Sequence, residues 1–306
     1  MSVCVLGSIN LDLVLAITDL PKPGQTLPAQ GFSEHPGGKG ANQATAAARA
    51  GAPTAMLGAV GDDAAGAWML ERLSQAGVDV AAVGRLAGQP TGQAHIMVSA
   101  AGENMIVVVG GANLAWRPER LPPEPLRNAK VLLAQLESPV ETVRAAFADP
   151  ATSGALKLLN AAPALAEAAA LFVLCDMILV NETELGVFAG VALDTAEVAV
   201  VTASARRLIA RAGQWVIVTL GAAGVLAVSA EDALTAPGWN LPVVDTTGAG
   251  DCFCGALAAR LSEDAPLAEA LAFANAAAAL SVGRPGAGSG MPARGEIEAL
   301  LASRSA

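Results

Sequence analysis

Short apolar runs rich in Val, Leu and Ile alternate with alanine-rich stretches of helical length along most of the chain. Apolar runs without polar alternation are typical of strands buried on both faces of a parallel sheet, and the stretches between them are long enough for crossover helices. The pattern therefore predicts an α/β fold with one doubly wound, mostly parallel sheet and helices on both faces. The predicted strands span residues 3–7, 54–61, 131–136, 156–160, 177–180, 216–220 and 224–228, and the predicted helices span residues 40–50, 64–76, 140–148, 203–212, 251–261 and 267–282.

Two segments break this alternation, because their strand-like runs follow one another with no helix between them. Residues 13–17 pair in this way with 26–33, and residues 93–99 with 104–109. They predict a small antiparallel sheet, a lid within about 13–33 and 93–109, which would cover a site at the carboxyl edge of the main sheet. We expect residues 1–306 to form a single domain that carries this lid.

Composition and charge narrow the function classes. The chain has 306 residues, of which 53% are apolar and 15% charged, so it is neither a disordered tail nor a coiled coil. It carries 18 basic and 28 acidic side chains and a net charge of −10, which repels polyanions. Nucleic-acid partners are therefore not expected.

The four cysteines form no C-x-x-C pair and no secretory signal precedes the first strand, which predicts a reducing, cytoplasmic location. Residues 212–230 carry no charge and are long enough to span a bilayer. They also contain Gln214, Thr219 and three glycines, a pattern that favours strand, turn and strand. No membrane partner is therefore expected.

The strongest chemical signal is the run Gly248-Ala249-Gly250-Asp251 between a strand-like segment and a helix. The first turn of a helix has unpaired N–H groups and a positive dipole end, and small residues let an anion approach them. Asp251 is then a candidate general base. The alternative is that Asp251 only caps the helix, because Asp is a favoured N-cap residue. In either position the helix N-terminus is expected to keep this carboxylate ionised.

A second glycine-rich turn, at residues 36–44, also opens a predicted helix. It is not a Walker A loop, because Gly40 follows Lys39 where that loop has Ser or Thr. Lys39 and Asn42 offer donors for hydroxyls or an anion, although a plain flexible turn explains the glycines equally well. Asn10 and Asp12 would point the same way from an extended segment and could bind a polyol; the alternative is a turn.

There are three smaller signals, and the first two follow predicted strands, at the edge where open α/β sheets bind ligands. Glu137 comes just after one strand, and Asn181 and Glu184 follow another with oxygens suited to hydrated Mg²⁺. Thr219, Gly221 and Gly224 would let a nucleotide lie against the backbone, or form a simple hairpin turn.

Taken in order, residues 7–12, 37–44, 135–139, 181–184 and 245–251 resemble the motifs of the ribokinase-like (PfkB) carbohydrate kinases over essentially the whole chain. The Gly-Ala-Gly-Asp run is specific to the wider family. The Asn10/Asp12 pair and the Gly-Gly-Lys-Gly-Ala-Asn-Gln run are most similar to members that phosphorylate D-ribose.

The resemblance implies roles for particular residues. It makes Asp251 the base and Gly248, Ala249 and Gly250 the anion hole. Its sugar-binding positions are Asn10, Asp12, Gly38, Lys39, Gly40, Asn42, Glu137 and Asp251. Its ATP positions are Asn181, Thr219, Gly221, Gly224, Gly250 and Asn275. Its metal positions are Asn181 and Glu184 for Mg²⁺, through water, and Asp245, Thr247, Ser281, Arg284, Gly286 and Gly290 for a monovalent cation such as K⁺.

The resemblance thus implies an ATP-dependent kinase that phosphorylates the 5-hydroxyl of D-ribose, works with Mg²⁺ and K⁺, and forms a homodimer through its lid. The nearest alternative is the same reaction on fructose, a deoxy sugar or a nucleoside. A nicotinamide-dependent dehydrogenase would use a similar sheet, but no G-x-G-x-x-G follows the first strand. A non-catalytic sugar-binding protein would keep the fold without needing Asp251.

Overall fold

Strands and helices alternate along the chain in the computed structural model, which describes residues 2–193 and 197–305. The strands are β1 Val3–Leu6, β2 Asn10–Ile17, β3 Gly31–Gly37, β4 Thr54–Leu57, β5 Ala59–Gly61, β6 Val78–Asp79, β7 Gly84–Leu86, β8 Gly92–Ser99, β9 Asn104–Val109, β10 Val131–Ala134, β11 Leu156–Asn160, β12 Met177–Asn181, β13 Trp215–Thr219, β14 Gly224–Val228 and β15 Ala233–Pro237. The helices are α1 Lys39–Arg49, α2 Ala64–Gln75, α3 Ala112–Ala115, α4 Pro123–Arg127, α5 Val140–Ala148, α6 Glu182–Ala189, α7 Val198–Arg206, α8 Ala249–Leu261, α9 Leu267–Ser281, α10 Ala287–Gly290 and α11 Arg294–Ser305. Short 3₁₀ turns lie at Pro118–Arg120, Pro150–Thr152, Ala166–Leu174 and Gly221–Ala223.

The main sheet has the strand order β15-β14-β13-β12-β11-β10-β1-β4-β6. The strands from β13 to β6 run parallel, and β14 and β15 extend the sheet antiparallel at one edge. The predicted doubly wound, mostly parallel sheet is confirmed. From β1 the chain proceeds outward to β4 on one side, and the later strands start at β10 on the other. A crevice therefore opens beyond the carboxyl ends of β1 and β10, where such sheets hold ligands.

Both faces of the main sheet are buried, as the unbroken apolar runs predict. In β1, Val3 and Val5 pack into the apolar cluster under α1, α8 and α9. Cys4 and Leu6 pack into the cluster on the opposite face, with residues of α5, α6 and α7. The two helical layers therefore fix the position of each strand end around the crevice.

The second sheet is the lid, with the strand order β3-β2-β8-β9. Its two hairpin-like pairs are antiparallel, but β2 and β8 pair in parallel, so the prediction of a purely antiparallel sheet is wrong. The strand predicted over 26–33 also lies later, at β3. Pro28 cannot donate to a ladder, whereas Pro36 is tolerated because β3 is at the edge. Residues Asn10 and Gly37 pair at the end nearest the main sheet.

Other boundaries differ from the sequence prediction. The run 54–61 divides at Gly58 into β4 and β5, which belong to different sheets. The helix predicted over 203–212 lies instead at Val198–Arg206, because its buried face includes Val201. Strand β15 and helices α6 and α11 were not predicted. Within the described ranges, no helix combines the length and the apolar composition that crossing a bilayer requires.

Candidate active site

Two glycine-initiated helices, α1 and α8, meet at the crevice. The residue that precedes each helix is a glycine with positive φ, 88° at Gly38 and 76° at Gly248, a conformation that favours glycine. The helices approach closely at Gly255, where an added Cβ would lie 2.3 Å from the carbonyl oxygen of Gln43. This close contact brings side chains near the start of α1 against the first turn of α8.

Asp251 is the third residue of α8 and does not cap it, because Gly248 occupies the N-cap position. The capping interpretation is therefore wrong. The side chain is only 7% exposed. Its Oδ2 accepts a hydrogen bond from Asn42 Nδ2 at 3.1 Å and its Oδ1 accepts one from Gln43 Nε2 at 2.9 Å.

Burial raises the pKa of Asp251 above its usual range, although Lys39 and the amide donors of Gln43 and Asn42 oppose the rise. Desolvation of the charged form therefore outweighs the favourable neighbours, an effect that the position at the helix N-terminus alone does not predict. A carboxyl with a raised pKa is a stronger base when ionised, which suits proton transfer.

Glu137 joins the end of β10 to both the β1 loop and α1. Its Oε2 accepts hydrogen bonds from Ser8 Oγ at 2.5 Å and from the backbone N of Lys39 at 3.0 Å. An added Cβ on Gly40 would lie 2.6 Å from the backbone of Gly7, so the turn rests directly on the end of β1. The first turn of α1 is therefore fixed against the main sheet.

The lid contributes Asn10 and Asp12 from β2. Asn10 Oδ1 accepts a hydrogen bond from Asn113 Nδ2 at 2.8 Å. Asp12 packs on Gly37, where an added Cβ would lie 2.1 Å from its carboxylate. Burial and the nearby charges of Glu137 and Asp251 raise the pKa of Asp12 to about 7. Asp12 thus lies close enough to Glu137 and Asp251 to interact with their charges.

Lys39 is the cation among these acids. Burial alone would lower the pKa of Lys39, but nearby carboxylates outweigh burial and raise it above its usual range. These carboxylates belong to Asp251, Glu137 and Glu184. The site therefore holds a permanent positive charge beside the candidate base.

Two cavities flank the Gly248–Gly250 turn. The smaller, of about 180 Å³, is lined by Lys39, Asp251 and Glu184 among other residues. The larger, of about 430 Å³, has mostly apolar walls and is within the size range of small-molecule sites. Both cavities share four lining residues: Thr219, Thr246, Ala249 and Gly250.

The larger cavity contains most of the residues predicted for nucleotide binding. Its lining includes Thr219, Gly221, Gly224, Gly250 and Asn275. The Asn275 Nδ2 donates to the carbonyl oxygen of Pro237 at 2.8 Å, which fixes its amide against the wall. Asn181, predicted for the same role, lines the smaller cavity instead.

Asn181 and Glu184 form a capping box at the start of α6. Glu184 N donates to Asn181 Oδ1 and Asn181 N donates to Glu184 Oε2, each at 2.8 Å. The box uses one side-chain oxygen of each residue. Both residues line the smaller cavity, so the set is consistent with contact to a hydrated Mg²⁺ through water rather than direct ligation.

The residues predicted for a monovalent cation lie on two loops that Asp245 connects. Its Oδ1 accepts a hydrogen bond from Thr247 N and its Oδ2 accepts one from Gly286 N, each at 2.9 Å. The Thr247 and Gly286 donors outweigh partial burial and hold its pKa below the usual range, so the carboxylate stays charged. An added Cβ on Gly290 would lie 3.4 Å from the carbonyl oxygen of Ser281 and 3.7 Å from that of Arg284.

Comparison with known proteins decides the family. Residues 1–294 match the pfkB family of carbohydrate kinases. The chain belongs to that family.

Its relatives cover nearly its whole length. The protein is 38% identical over 299 residues to a ribokinase of Haemophilus influenzae, and the match covers 97% of each chain. It is 35% identical to a deoxyribokinase of Salmonella typhi, covering 95% of this chain and 96% of the relative. A solved structure of Arabidopsis thaliana ribokinase with ribose and ATP is 34% identical, with a TM-score of 0.87 and 98% of each chain covered.

These findings confirm the resemblance, the ribokinase-like fold with its separate small sheet, and the class of enzyme. The protein is a phosphotransferase with an alcohol group as acceptor. A dehydrogenase is excluded by the same family assignment.

The structure also brings polar residues to this kinase site that the sequence did not single out. Gln43, Gln135 and Asn160 form a buried amide chain behind Asp251. Ser8 donates a hydrogen bond to Glu137, and Asn113 accepts one from the backbone N of Ile9, just before β2. A polar residue inside an otherwise apolar strand end, such as Gln135, is the one local signal that could have indicated them.

Proposed function

We propose that this carbohydrate kinase is an ATP-dependent ribokinase, which transfers the γ-phosphoryl group of ATP to the 5-hydroxyl of D-ribose. The observation that carries the proposal is the position of Asp251, which lines the smaller cavity beside Lys39 and next to the Gly248–Gly250 turn. The names of the relatives in Haemophilus influenzae and Arabidopsis thaliana support ribose as the acceptor.

The reaction follows from this arrangement. Asp251 takes the proton of the attacking hydroxyl, the alcohol oxygen forms a bond to the γ-phosphorus, and the bond between the β–γ bridging oxygen and the γ-phosphorus breaks to release ADP. The backbone N–H groups at the start of α8 and the ammonium of Lys39 stabilise charge on the moving group. Asn181 and Glu184 would contact a hydrated Mg²⁺ through its water, and the ion would neutralise phosphate charge when bound.

Sugar recognition would divide between the lid on one side and, on the other, the start of α1 together with Glu137 after β10. Asn10 and Asp12 would form hydrogen bonds with sugar hydroxyls from the lid side. Asn42, Lys39 and Glu137 would do so from the side of the main sheet. Gly38 and Gly40 would let the sugar and the strand backbone approach the turn. ATP would place its base in the larger cavity near Asn275 and its phosphates across Gly250.

The direct test is a rate comparison across acceptors with ATP and Mg²⁺. We expect D-ribose to give the highest kcat/KM, ahead of 2-deoxyribose, fructose and a nucleoside. A higher kcat/KM for 2-deoxyribose would assign the protein to the activity of its Salmonella relative instead. Absence of ADP formation with every sugar would contradict the proposal.

We also propose that K⁺ binds between the Asp245 and Ser281–Gly290 loops. An ionised carboxylate and converging carbonyl oxygens form a donor set suited to a weakly hydrated cation, and such a cation would add positive charge beside the anion-binding turn. The side chain of Arg284 would take no part, because it pairs with Glu296. Replacing KCl by tetramethylammonium chloride at equal ionic strength should lower kcat, and an unchanged kcat would contradict this site.

The lid is proposed to pair with the lid of a second copy. Strand β9 is an edge strand whose residues are all exposed, including Ile106 at 51% and Val108 at 58%. An exposed apolar edge strand needs a partner. We expect a dimer by sedimentation and a monomer after Val108→Asp; a monomeric wild-type protein would contradict the pairing.

The four cysteines are free and buried, which supports a reducing cytoplasm as the proposed location.

A further inference from the structure

A chain of buried amides lies directly behind the carboxylate of Asp251. Gln43 Nε2 donates to Asp251 Oδ1 at 2.9 Å and to Asn160 Oδ1 at 3.0 Å. Gln135 Nε2 in turn donates to Gln43 Oε1 at 2.6 Å. Gln43 and Gln135 are both fully buried, so neither can reach a sugar or a nucleotide.

These contacts leave Gln43 only one orientation of its amide. Because its oxygen accepts from Gln135, its nitrogen must face the two oxygens of Asp251 and Asn160. A flipped Gln43 would place its own oxygen against a carboxylate and against the Asn160 oxygen, and would place its NH₂ group against the Gln135 donor. Each of those contacts is repulsive in a low-dielectric interior.

This chain of amides is not the arrangement that would give the greatest stability. Gln135 Oε1 is buried with no hydrogen-bond partner among the described residues, and such an acceptor costs free energy. The same oxygen lies 1.8 Å from where a Cβ on Gly7 would stand, so the strand end must carry glycine to accommodate this amide. An apolar side chain at position 135 would avoid both constraints but would release Gln43.

We propose that Gln43 is the positioning residue of the catalytic carboxylate, and that Gln135 locks Gln43 in its donating orientation. Asn42 and Gln43 hold the two oxygens of Asp251 from different sides. Asn42 is itself one of the proposed sugar-binding residues, whereas Gln43 is fully buried. Gln43 therefore fixes the direction of the carboxylate without touching the substrate.

The proposal rests on the proposed function for its kinetic test. In Gln43→Met, kcat should fall by about 10- to 100-fold while KM for ribose changes little, because the base is misdirected but the sugar contacts remain. The acid limb of the kcat profile should also move up by about one pH unit, since a hydrogen bond that favours the ionised form is gone. Gln135→Met should shift both quantities in the same direction by less.

Gln214→Met is the matched control. Gln214 is fully buried and donates to the carbonyl oxygens of Phe172 and Cys175, on the opposite face of the main sheet. Its loss should lower the melting temperature without moving kcat or the pH profile. Unchanged kcat and acid limb in Gln43→Met, or a loss confined to KM, would overturn the positioning role.

A readout independent of turnover separates this inference from the proposed function. The carboxyl carbon of Asp251, assigned by its disappearance in Asp251→Asn, can be titrated by NMR in the wild type, Gln43→Met and Gln135→Met. An upward pKa shift in both Met variants supports the chain even in a protein that phosphorylates no sugar. If Gln43→Met does not fold, the Gln135→Met titration decides, and an unshifted Asp251 there overturns the proposal.

Discussion

The starts of α1 and α8 look alike in sequence and differ in the space around them. Each helix follows a glycine with positive φ, and neither has a side-chain cap. At Gly40 in α1, an added Cβ would lie 2.6 Å from the Gly7 backbone. At Gly250 in α8, an added Cβ would meet no atom of the described part of the chain within 4 Å.

The difference teaches that two glycine-rich turns can be glycine-rich for different reasons. In α1 the glycine is needed by the protein, because backbone packs on backbone there. In α8 the protein itself needs glycine at Gly248, where an added Cβ would lie 2.7 Å from Ala287, but leaves room at Gly250, so only the glycine at position 250 is left to be explained by what binds. The two helix starts also differ in charge. Lys39 places a cation at the N-terminus of α1, where the helix dipole disfavours it, whereas the N-terminus of α8 carries no cation and its dipole is available to an anion.

The largest expected effect is at the acid of α8. Asp251→Ala should lower kcat by about 10²- to 10⁴-fold, because it removes a positioned base. ATP should still bind, since the larger cavity is unchanged. Turnover and nucleotide affinity can be measured on the same preparation, and near-normal turnover would refute Asp251 as the base.

Next is Gly40→Ala, which tests the packing requirement of α1. A Cβ this close to backbone cannot be accommodated by moving a side chain, so we expect a loss of about 1–3 kcal/mol in the free energy of unfolding, or more. Urea denaturation measures it. Gly295→Ala in α11 is the control, because an added Cβ there meets nothing within 4 Å; equal stability of the two variants would contradict the comparison.

Gly250→Ala should do the reverse. Its unfolding free energy should stay the same or rise slightly, because alanine is the better helix former. The added methyl group enters the space shared by both cavities, and kcat should fall by about 10- to 100-fold through misplacement of the phosphates. A variant that is unstable, or fully active, would remove the distinction between the two turns.

The smallest effect concerns Asp12, opposite α1 on the lid. Its pKa is raised from 3.8 to about 7, so the native state holds a proton that the unfolded state releases between these values. Its contribution to stability therefore falls as pH rises through this window. Ionised Asp12 accepts sugar hydroxyls better, so KM for ribose should fall by up to about tenfold from pH 6 to pH 8. In Asp12→Asn this pH dependence should vanish, and its persistence would assign it elsewhere.

Much of the main sheet could be predicted because its signal is local. The apolar runs of β1, β10 and β12 are buried on both faces, so a few consecutive apolar residues are enough to predict each strand. The hairpin of β13 and β14 was predicted from its Gly-Ala-Ala-Gly turn. The lid was harder, because the parallel pairing of β2 with β8 joins segments about 80 residues apart.

The motifs indicated several residues that the structure places around the candidate site, but not the interactions among them. The motifs indicated Asp251, Asn42 and Lys39, yet no spacing shows that Gln43 meets Gln135 across 92 residues. The helix-dipole argument also missed the raised pKa of Asp251, because a sequence does not state how deeply a helix start is buried. Burial is set by the packing of whole helices, here at Gly255.

One consequence follows from the path of β2. The strand that carries Asn10 and Asp12 is also a central strand of the lid, hydrogen-bonded on both sides. Any tilt of that sheet would therefore move two of the proposed sugar-binding residues with it. A single movement of the lid would therefore both exclude water and complete the binding site for the acceptor. With the lid moved away, the crevice would lack the contacts that hold an alcohol in line with the phosphoryl group.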